Sequence, residues 1–276
     1  MENETMIVTS GLPNPHHGNE TAMILGCEHR QGAILNEKKN LYQIGLWGLE
    51  NLIWSPETKV ILHWLGSDIL MAKSLPIWIP VINGIVDAHL CQSEENQKEL
   101  KELGIDAKVV PLPPLFLIPK PIPLPNHHRI GIYMPPDSNS ADFYYQSLNI
   151  PLARLMPDDD FLFYGNTDIA RNFKTNNIVW GGWMDNRAII SNCSILIRMT
   201  KHDGFPKTLA EGLMAGRWVI SNYFLKGAIF CQPDVEEIKK EINSCVEAVK
   251  MDSAPAEYWR KNLNHKKFKT AIVGLF

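Results

Sequence analysis

The sequence predicts an α/β protein built from two doubly wound domains with parallel sheets. Short runs of consecutive apolar residues alternate along the chain with amphipathic stretches at helical spacing. Uninterrupted apolar strands are typical of parallel sheets that helices cover on both faces. A proline-rich segment separates these elements into two groups, so each group is expected to form its own sheet. Ligands of such sheets bind beyond the carboxyl ends of the strands.

The individual elements follow from the apolar runs and from the helical spacing between them. In the first group we predict strands at Met6–Ser10, Val60–Trp64, Ala88–Gln92 and Ala107–Val110, and helices at Leu41–Trp54 and Ser93–Leu103. In the second group we predict strands at Arg129–Met134, Phe161–Tyr164, Ile178–Trp180, Ser194–Arg198 and Trp218–Ser221, and a packing helix at Val235–Met251.

The boundary between the domains is predicted from PLPPLFLIPKPIPLP, residues 111–125, which has seven prolines in 15 residues. Such a stretch lacks backbone donors and has restricted φ angles, so no helix or central strand can continue through it. We therefore predict domains at 1–110 and 127–276 and a linker at 111–126. The apolar residues of the linker favour packing against both domains, and the terminal helix could return to the first domain.

Composition excludes several classes of protein. The 276 residues carry a formal net charge of -3, from 27 basic and 30 acidic residues, so no overall basic field favours nucleic acid or anionic lipid. Five dispersed cysteines without a Cys-x-x-Cys pair indicate neither a disulfide framework nor a zinc site. There is no signal-peptide pattern, and no apolar run reaches the roughly 18 residues of a membrane span. We predict a cytoplasmic protein.

The segment KHDGFPKTLAEGLMAGRWVI, Lys201–Ile220, has the pattern of an anion-binding turn between a strand and a helix. Pro206 suits the first turn of a helix, and Gly204 allows a ligand to approach the backbone. The free N–H groups of Phe205 through Thr208 would form the positive end of the helix dipole, beside the ammonium of Lys207. The segment therefore predicts a phosphate or diphosphate socket.

Two acids flank this socket, Asp203 before it and Glu211 about one turn deeper. A carboxylate beside a phosphate opposes binding unless it faces another part of the ligand, such as the vicinal hydroxyls of a ribose, which it can accept from. We predict that Glu211 faces the ribose and that Asp203 faces hydroxyls of a group attached to the far phosphate. A nucleotide-diphosphate sugar is the simplest ligand with these parts.

The same residues resemble a known family. An acid followed by Gly-Phe-Pro, seven residues between the two acids, then Gly-Leu-Met-Ala-Gly and a Val-Ile strand is similar to the paired-acid signature of retaining nucleotide-sugar glycosyltransferases of group 1, which have the GT-B fold. The resemblance spans residues 60–221. It implies two Rossmann-like domains facing a cleft, Asp203 on the transferred sugar, Glu211 on the ribose, and no requirement for a metal.

The chain departs from that family at two points. Asp203 is one methylene shorter than the usual glutamate, and GIYMPPDSNSADFYY, after the first strand of the donor domain, lacks the Arg and Lys that commonly neutralise the diphosphate. Arg198, Lys201 and Lys207 flank the socket and could substitute, because charge-assisted bonds to phosphate are strong.

In the first domain, His63 follows an apolar strand in VILHWLGSD, and by resemblance it would contact the sugar. The alternative is that Ser67 or Asp68 caps the next helix and His63 is a partner near it. The loop GLPNPHHGNE carries Gly18, whose backbone by resemblance would lie against the donor phosphate. The adjacent His16 and His17 have no third ligand at a convincing spacing, which disfavours a metal.

Three further residues follow strands of the second domain. Asn166 lies past the carboxyl end of one strand, and by resemblance Gly182 and Trp183 would contact the nucleotide base, with ordinary packing as the alternative. Asp158–Asp160 resembles an Asp-x-Asp metal motif but precedes its strand at the amino end, so a solvated turn is favoured.

The tail Trp259–Lys269 carries five Lys or Arg among apolar residues, so a peripheral membrane or nucleic-acid contact is one interpretation, and a solvated face of a terminal helix is the favoured one.

The function predicted by this resemblance is a retaining glycosyltransferase, a hexosyltransferase, that uses a UDP-sugar or GDP-sugar as co-substrate and needs no cofactor. Asp203 and His63 are its catalytic candidates. The acceptor stays open among a glycan, a lipid, a small molecule, a protein and a modified nucleic acid. Two alternatives are an epimerase of the same fold and a catalytically silent nucleotide-sugar or glycan-binding module.

Overall fold

The computed structural model describes residues 6–10, 15–31, 40–47, 57–135, 137, 140–166, 175–248 and 252–276. The chain divides into two compact units. The first contains residues 1–117 and 263–276, and the second contains residues 118–262. The division lies inside the proline-rich segment, and the last 14 residues belong to the first unit, which is the return of the terminal helix that the sequence left open.

The first unit is a six-stranded parallel sheet in the order β2-β1-β3-β4-β5-β6. Its strands are β1 (Met6–Ser10), β2 (Glu28–Gln31), β3 (Asn40–Ile44), β4 (Val60–His63), β5 (Ala88–Cys91) and β6 (Ala107–Val109). Its helices are α1 (Pro15–Leu25), α2 (Ser67–Ser74), α3 (Ile79–Ile85), α4 (Glu94–Glu102) and α10 (His265–Val273). Apolar residues of α2, α3 and α4 form a core on one face of the sheet, and those of α1 and α10 form a core on the other.

The second unit is also a six-stranded parallel sheet, in the order β12-β11-β10-β7-β8-β9. Its strands are β7 (Arg129–Met134), β8 (Asp160–Gly165), β9 (Ile178–Gly182), β10 (Ile195–Arg198), β11 (Trp218–Ser221) and β12 (Ile229–Phe230). Its helices are α5 (Gln146–Leu155), α6 (Asn186–Asn192), α7 (Lys207–Met214), α8 (Val235–Glu247) and α9 (Ala254–Asn262). Helices α5 and α8 contribute to the main core of this unit.

One predicted helix is wrong. Residues Asn40–Ile44, which the sequence assigned to a helix over Leu41–Trp54, form strand β3. All four residues after Asn40 are buried, because β3 lies between β1 and β4. A strand buried on both faces has no polar side, so its apolar residues also fit a helical spacing. Residues 48–54 of that prediction lie outside the described residues.

The segment after the first unit is held by a buried arginine that sequence reasoning did not identify. Arg217 is fully buried, and its guanidinium donates to the carbonyl oxygens of Ile122 at 2.8 Å, Pro123 at 2.8 Å and Ile190 at 2.7 Å. The N–H of Ile122 donates to the carbonyl of Ala215 at 3.0 Å. These bonds satisfy backbone groups in a stretch whose prolines cannot join a sheet, and so they fix its path along the second unit.

Helices α2 and α3 are joined by a 3-10 turn at Pro76–Trp78. Ile69 and Ile82 are buried, whereas Ile77 and Trp78 are exposed. Within the described residues, no single helix has the length and apolar composition to cross a bilayer; the two stretches Ser67–Ser74 and Pro76–Ile85 meet that requirement together but are bent by 95° at the break between them.

Candidate functional site

The strand order of the second unit places a switch point between β7 and β10. Strand β7 has β10 on one side and β8 on the other, so the chain leaves β7 in one direction and returns to pair with it from the opposite side. In doubly wound sheets the crevice beyond the carboxyl ends at such a point is the usual ligand site. The predicted socket follows β10 directly, and therefore lies at this edge.

Arg198 is the last residue of β10 and forms the centre of a polar cluster at the switch point. Its Nε donates to Oδ2 of Asp203 at 2.6 Å, and its guanidinium carbon lies 5.3 Å from the ring centroids of both Tyr133 and Tyr144. Burial alone would lower the pKa of Arg198, but Asp203, Tyr144 and Tyr164 raise it, and the net pKa lies above its ordinary value. The guanidinium therefore stays charged while it holds the carboxylate of Asp203.

Glu211 is held by a different partner. It is buried on α7 with 7% of its surface exposed, and its Oε2 accepts from Nδ2 of Asn186 at 2.7 Å. Oδ1 of Asn186 in turn accepts from Oγ1 of Thr208 at 3.3 Å. Asn186 is the first residue of α6, and Thr208 is three residues before Glu211 on α7. The side-chain amide of Asn186 therefore links the start of α6 to the first turns of α7.

The predicted phosphate socket is partly closed by its own backbone. Helix α7 begins at Lys207, directly after Pro206, and the N–H of Lys207 donates to the carbonyl of Phe205 at 2.9 Å. The prediction that this N–H is free is therefore wrong, because the backbone turns tightly before the helix. Gly204 is buried, and the ring of Phe205 packs against that of Trp259 with centroids 5.5 Å apart.

Lys201 joins the two loops on either side of the switch point. Its exposed ammonium bonds the carboxylate of Asp142, and its backbone N–H donates to the carbonyl of Phe143 at 2.9 Å. The side chain is thus engaged by a carboxylate of the loop after β7, at the position where the resembling family carries bases. Of the three basic residues that the sequence proposed for the diphosphate, Arg198 is the one at the switch point itself.

The remaining candidates of the second unit lie at the same edge of the sheet. Asn166 follows β8 and is half-buried, and Gly182 ends β9 with φ +66°. Trp183 has 70% of its surface exposed, so the alternative that it packs in the core is wrong. Trp180, three residues earlier, packs against the core instead: its ring is perpendicular to that of Phe163, with the two ring centroids 5.3 Å apart.

In the first unit, His63 ends β4 and is fully buried. Its Nδ1 shares a hydrogen bond with the hydroxyl of Tyr42, and its Nε2 is buried without a hydrogen-bond partner among the described residues. Burial, and to a smaller extent His17, lower the pKa of His63 from 6.5 to about 3. Any ligand contact that His63 makes at neutral pH is therefore made by an uncharged imidazole.

Asp68 is held by the start of its own helix. Its carboxylate accepts from the backbone N–H groups of Leu65, Gly66 and Ile69 at 2.9 to 3.0 Å. Burial raises its pKa to about 6, although the same N–H groups act to lower it. The N–H groups of Leu65 and Gly66 lie just before α2 and that of Ile69 lies in its first turn, so Asp68 holds the turn that leads into the helix, while the N-cap position itself is occupied by Gly66.

Gly18 lies in a helix rather than in the loop that the sequence suggested. It is buried in α1, and a Cβ at this position would lie 2.2 Å from Nε2 of His29 and 2.5 Å from Oγ of Ser10. These two atoms bond each other at 2.9 Å. The close packing of this pair explains the glycine without a ligand. Residues 11–14 and the side chain of His16 lie outside the described residues.

The tail does not present an apolar stripe to solvent. Trp259, Leu263 and Phe268 are buried, and Arg260 donates to the carbonyl of Met214 at 2.6 and 3.1 Å, which caps α7. The apolar side chains that a peripheral contact would insert are core residues while the lysines are exposed, so the structure supports the favoured interpretation, a solvated face of a terminal helix.

The acids of PDDDF lie where the sequence placed them, since Asp160 begins β8 at the amino end of the strand. Among the described residues, no group of three or more His, Cys, Asp or Glu side chains is arranged to hold a metal ion.

Sequence reasoning missed three residues of the site: Tyr133 and Tyr144 beside Arg198, and Asn186 beside Glu211. Tyr133 could have been found, because it lies near the carboxyl end of a correctly predicted strand, where Asn166 was sought. Nothing in the local sequence of Asn186 or Tyr144 marks them, since their roles depend on contacts with α7 and β10.

The sequence matches no protein-family model and no curated protein sequence. Solved structures are similar in fold. A glycosyltransferase from Rickettsia africae has a TM-score of 0.70 at 13% identity, over 99% of this chain and 98% of that one. TarM from S. aureus, solved with UDP and α-GlcNAc-glycerol, has a TM-score of 0.60 at 13% identity, over 88% of this chain and 56% of that one. The pneumococcal O-GlcNAc transferase GtfA, solved with UDP and GlcNAc, has a TM-score of 0.62 at 13% identity, over 87% of this chain and 56% of that one.

These likenesses identify the fold. Two units, each with a six-stranded parallel sheet and helices, form the GT-B architecture that the sequence predicted. The chain spans little more than half the length of TarM and of GtfA, and nearly all of the Rickettsia protein.

Proposed function

We propose that the protein is a glycosyltransferase that binds a nucleotide-diphosphate sugar at the carboxyl edge of the second sheet and transfers the sugar with retention and without a metal. The observation that carries this proposal is the pair of buried acids at the switch point, each held by its own partner. Asp203 pairs with Arg198 at 2.6 Å and Glu211 with Asn186 at 2.7 Å. Buried carboxylates are costly unless such partners satisfy them, so their presence at a ligand edge favours binding.

The role of each residue follows from its charge and position. The ribose hydroxyls would donate to Glu211, and the sugar hydroxyls would donate to Asp203. Arg198 and Lys207 would neutralise the diphosphate as it leaves, which is the contribution that a metal makes in other transferases. Trp183 would offer its exposed ring to the base.

The ligands bound in solved structures of similar fold support this proposal. TarM and GtfA were each solved with UDP, and GtfA is described as an O-GlcNAc transferase. We therefore place a UDP-sugar first among donors and a GDP-sugar second. The acceptor class is not assigned.

The test is calorimetric titration of the full chain with UDP, GDP, ADP and CDP. Glu211→Gln removes the charge of the ribose acceptor but keeps an oxygen that Asn186 can donate to. Hydrogen bonds to charged groups contribute about 1.5–3 kcal/mol, so affinity for the preferred diphosphate should fall by about tenfold or more. Glu236→Gln, an exposed substitution on α8, is the matched control and should leave affinity unchanged.

A wild-type protein that binds none of the four diphosphates contradicts the proposal and favours the silent-module alternative. Product analysis with the matching sugar donor then separates the remaining classes. An epimerase releases the nucleotide diphosphate without an acceptor, whereas a transferase moves the sugar only when an acceptor is supplied.

A further inference from the structure

We infer that Asn186 is a positioning residue that orients the carboxylate of Glu211 toward the ribose of the bound nucleotide and so selects ribonucleotides over deoxyribonucleotides. This inference rests on the proposed function and deepens it. Its basis is the chain of contacts from Thr208 through Asn186 to Glu211, which links the starts of α6 and α7.

The orientation of the amide is determined by the chemistry of its two neighbours. A carboxylate only accepts hydrogen bonds, so the NH₂ group of Asn186 must face Glu211, and the distance of 2.7 Å is that of a good bond. The amide oxygen then faces the hydroxyl of Thr208, which donates to it at 3.3 Å. Reversing the amide would place its oxygen against the carboxylate of Glu211, whereas the hydroxyl of Thr208 can donate or accept, so the contact with Glu211 decides the orientation of the amide.

The backbone of Asn186 is equally well fixed. Asp185 caps α6, with its carboxylate accepting from the N–H of Arg187 at 2.8 Å, so Asn186 is held in the first turn of the helix. On the other side, α7 is buried from Leu209 through Met214. The amide therefore reaches Glu211 from a rigid position, as a residue that orients a ligand-binding group must.

The bond from Asn186 affects nucleotide binding through the geometry of the Glu211 carboxylate rather than through its charge. One carboxylate oxygen of Glu211, Oε2, accepts from Asn186, and this bond helps to fix the plane of the carboxylate. A carboxylate in a fixed plane can accept from vicinal hydroxyls without losing rotamer freedom on binding. Asn186 performs this task as a neutral side chain, so it adds no charge of its own to the site.

The test compares the affinities for UDP and 2′-deoxy-UDP, or the corresponding pair for the base that binds best, in wild type, Asn186→Ala and Asn192→Ala. Asn192 lies on the same helix, is exposed and donates to the carbonyl of Ala188 at 2.8 Å, so it is the matched control. Wild type and Asn192→Ala should prefer the ribonucleotide by about tenfold or more, as expected for a hydrogen bond to a charged group. Asn186→Ala should bring this ratio to about threefold or less, with affinity for the deoxynucleotide within about twofold of wild type.

Retained affinity for the deoxynucleotide also shows that the Asn186→Ala variant is folded, because an unfolded variant would lose affinity for both nucleotides. Asn186→Asp is the second variant: it places a second carboxylate against Glu211, and the ribonucleotide preference should fall at least as far as in Asn186→Ala. A ratio in Asn186→Ala equal to that of wild type overturns the inference and leaves the proposed function intact. A wild type that binds no nucleoside diphosphate overturns the proposed function and this inference together.

Discussion

At the scale of single residues, the two acids of the site are held in different ways. Asp203 pairs with a charged guanidinium that also lies over two tyrosine rings, whereas Glu211 is held by a neutral amide. The guanidinium of Arg198 offsets the charge of Asp203, whereas the amide of Asn186 bonds Glu211 without adding a charge. This difference supports the proposed roles, in which Glu211 accepts from a hydroxyl of the ligand and Asp203 acts together with Arg198.

The buried imidazole of His63 leads to a prediction about stability and pH. Its pKa in the folded chain, about 3, lies below its ordinary value of 6.5. Between these values the unfolded chain binds a proton that the folded chain excludes, so wild type loses stability as pH falls. His63→Gln lacks this proton, so the difference in unfolding free energy between wild type and variant should shift in favour of the variant from about pH 7.5 to about pH 5. Denaturant unfolding at both pH values measures it.

The matched control for this prediction is His127→Gln, because His127 is an exposed histidine of the second unit. That variant should follow the wild-type dependence on pH. If His63→Gln and wild type lost stability in parallel on acidification, His63 would not be the excluded proton site.

At the scale of elements, two glycines that both lie in helices, Gly18 of α1 and Gly84 of α3, should respond oppositely to alanine. A Cβ at Gly18 of α1 would lie 2.2 Å from the ring of His29 and disturb its bond to Ser10, so Gly18→Ala should cost about 1–2 kcal/mol. A Cβ at Gly84 of α3 meets nothing within 4 Å, so Gly84→Ala should be neutral or stabilise by up to about 1 kcal/mol. Thermal or denaturant unfolding of both variants measures the difference.

A double substitution tests the stated cause. Replacing His29 by Ala removes the ring that the new Cβ would meet, so Gly18→Ala should cost less in the His29→Ala background than in wild type. An unchanged cost in that background would mean that the strain arises elsewhere in α1.

Most strands of both sheets were predictable because uninterrupted apolar runs mark them, but β2 and β12 were missed, since β2 (EHRQ) has no apolar residue and β12 has only two residues. Strand β3 was assigned to a helix for another reason: its residues Leu41 and Ile44 have helical spacing, yet Gln43 between them is buried as well. Gln43 is accommodated by side-chain bonds to the carbonyl groups of Gly45 at 2.9 Å and Trp47 at 3.1 Å. No local pattern predicts a polar side chain satisfied in this way.

At the scale of the whole molecule, the two units differ in continuity, and this predicts how fragments behave. The second unit is the single stretch 118–262, so this fragment should fold alone. The first unit needs the segment 263–276, whose Phe268 and Ile272 are buried, with the ring of Phe268 at 6.4 Å from that of Tyr42. Fragment 1–117 should therefore lack a cooperative unfolding transition, and a synthetic 263–276 peptide added to it should restore one.

Circular dichroism with thermal unfolding measures both fragments. A cooperative transition of fragment 1–117 without the peptide, at the same midpoint as with it, would show that α10 does not contribute to the stability of the first sheet.

The sequence by itself determined the α/β class, the parallel sheets, the position of the division and the paired acids at the end of a strand. These follow from local patterns: apolar runs, proline frequency, and residues next to strand ends. Only the tertiary structure decided that Arg198 pairs with Asp203, that Asn186 holds Glu211, that Gly18 packs under His29, and that the last residues join the first unit. Each of these depends on contacts between residues distant in sequence or on the exact direction of a side chain, and neither is encoded in the spacing of residue types along the chain.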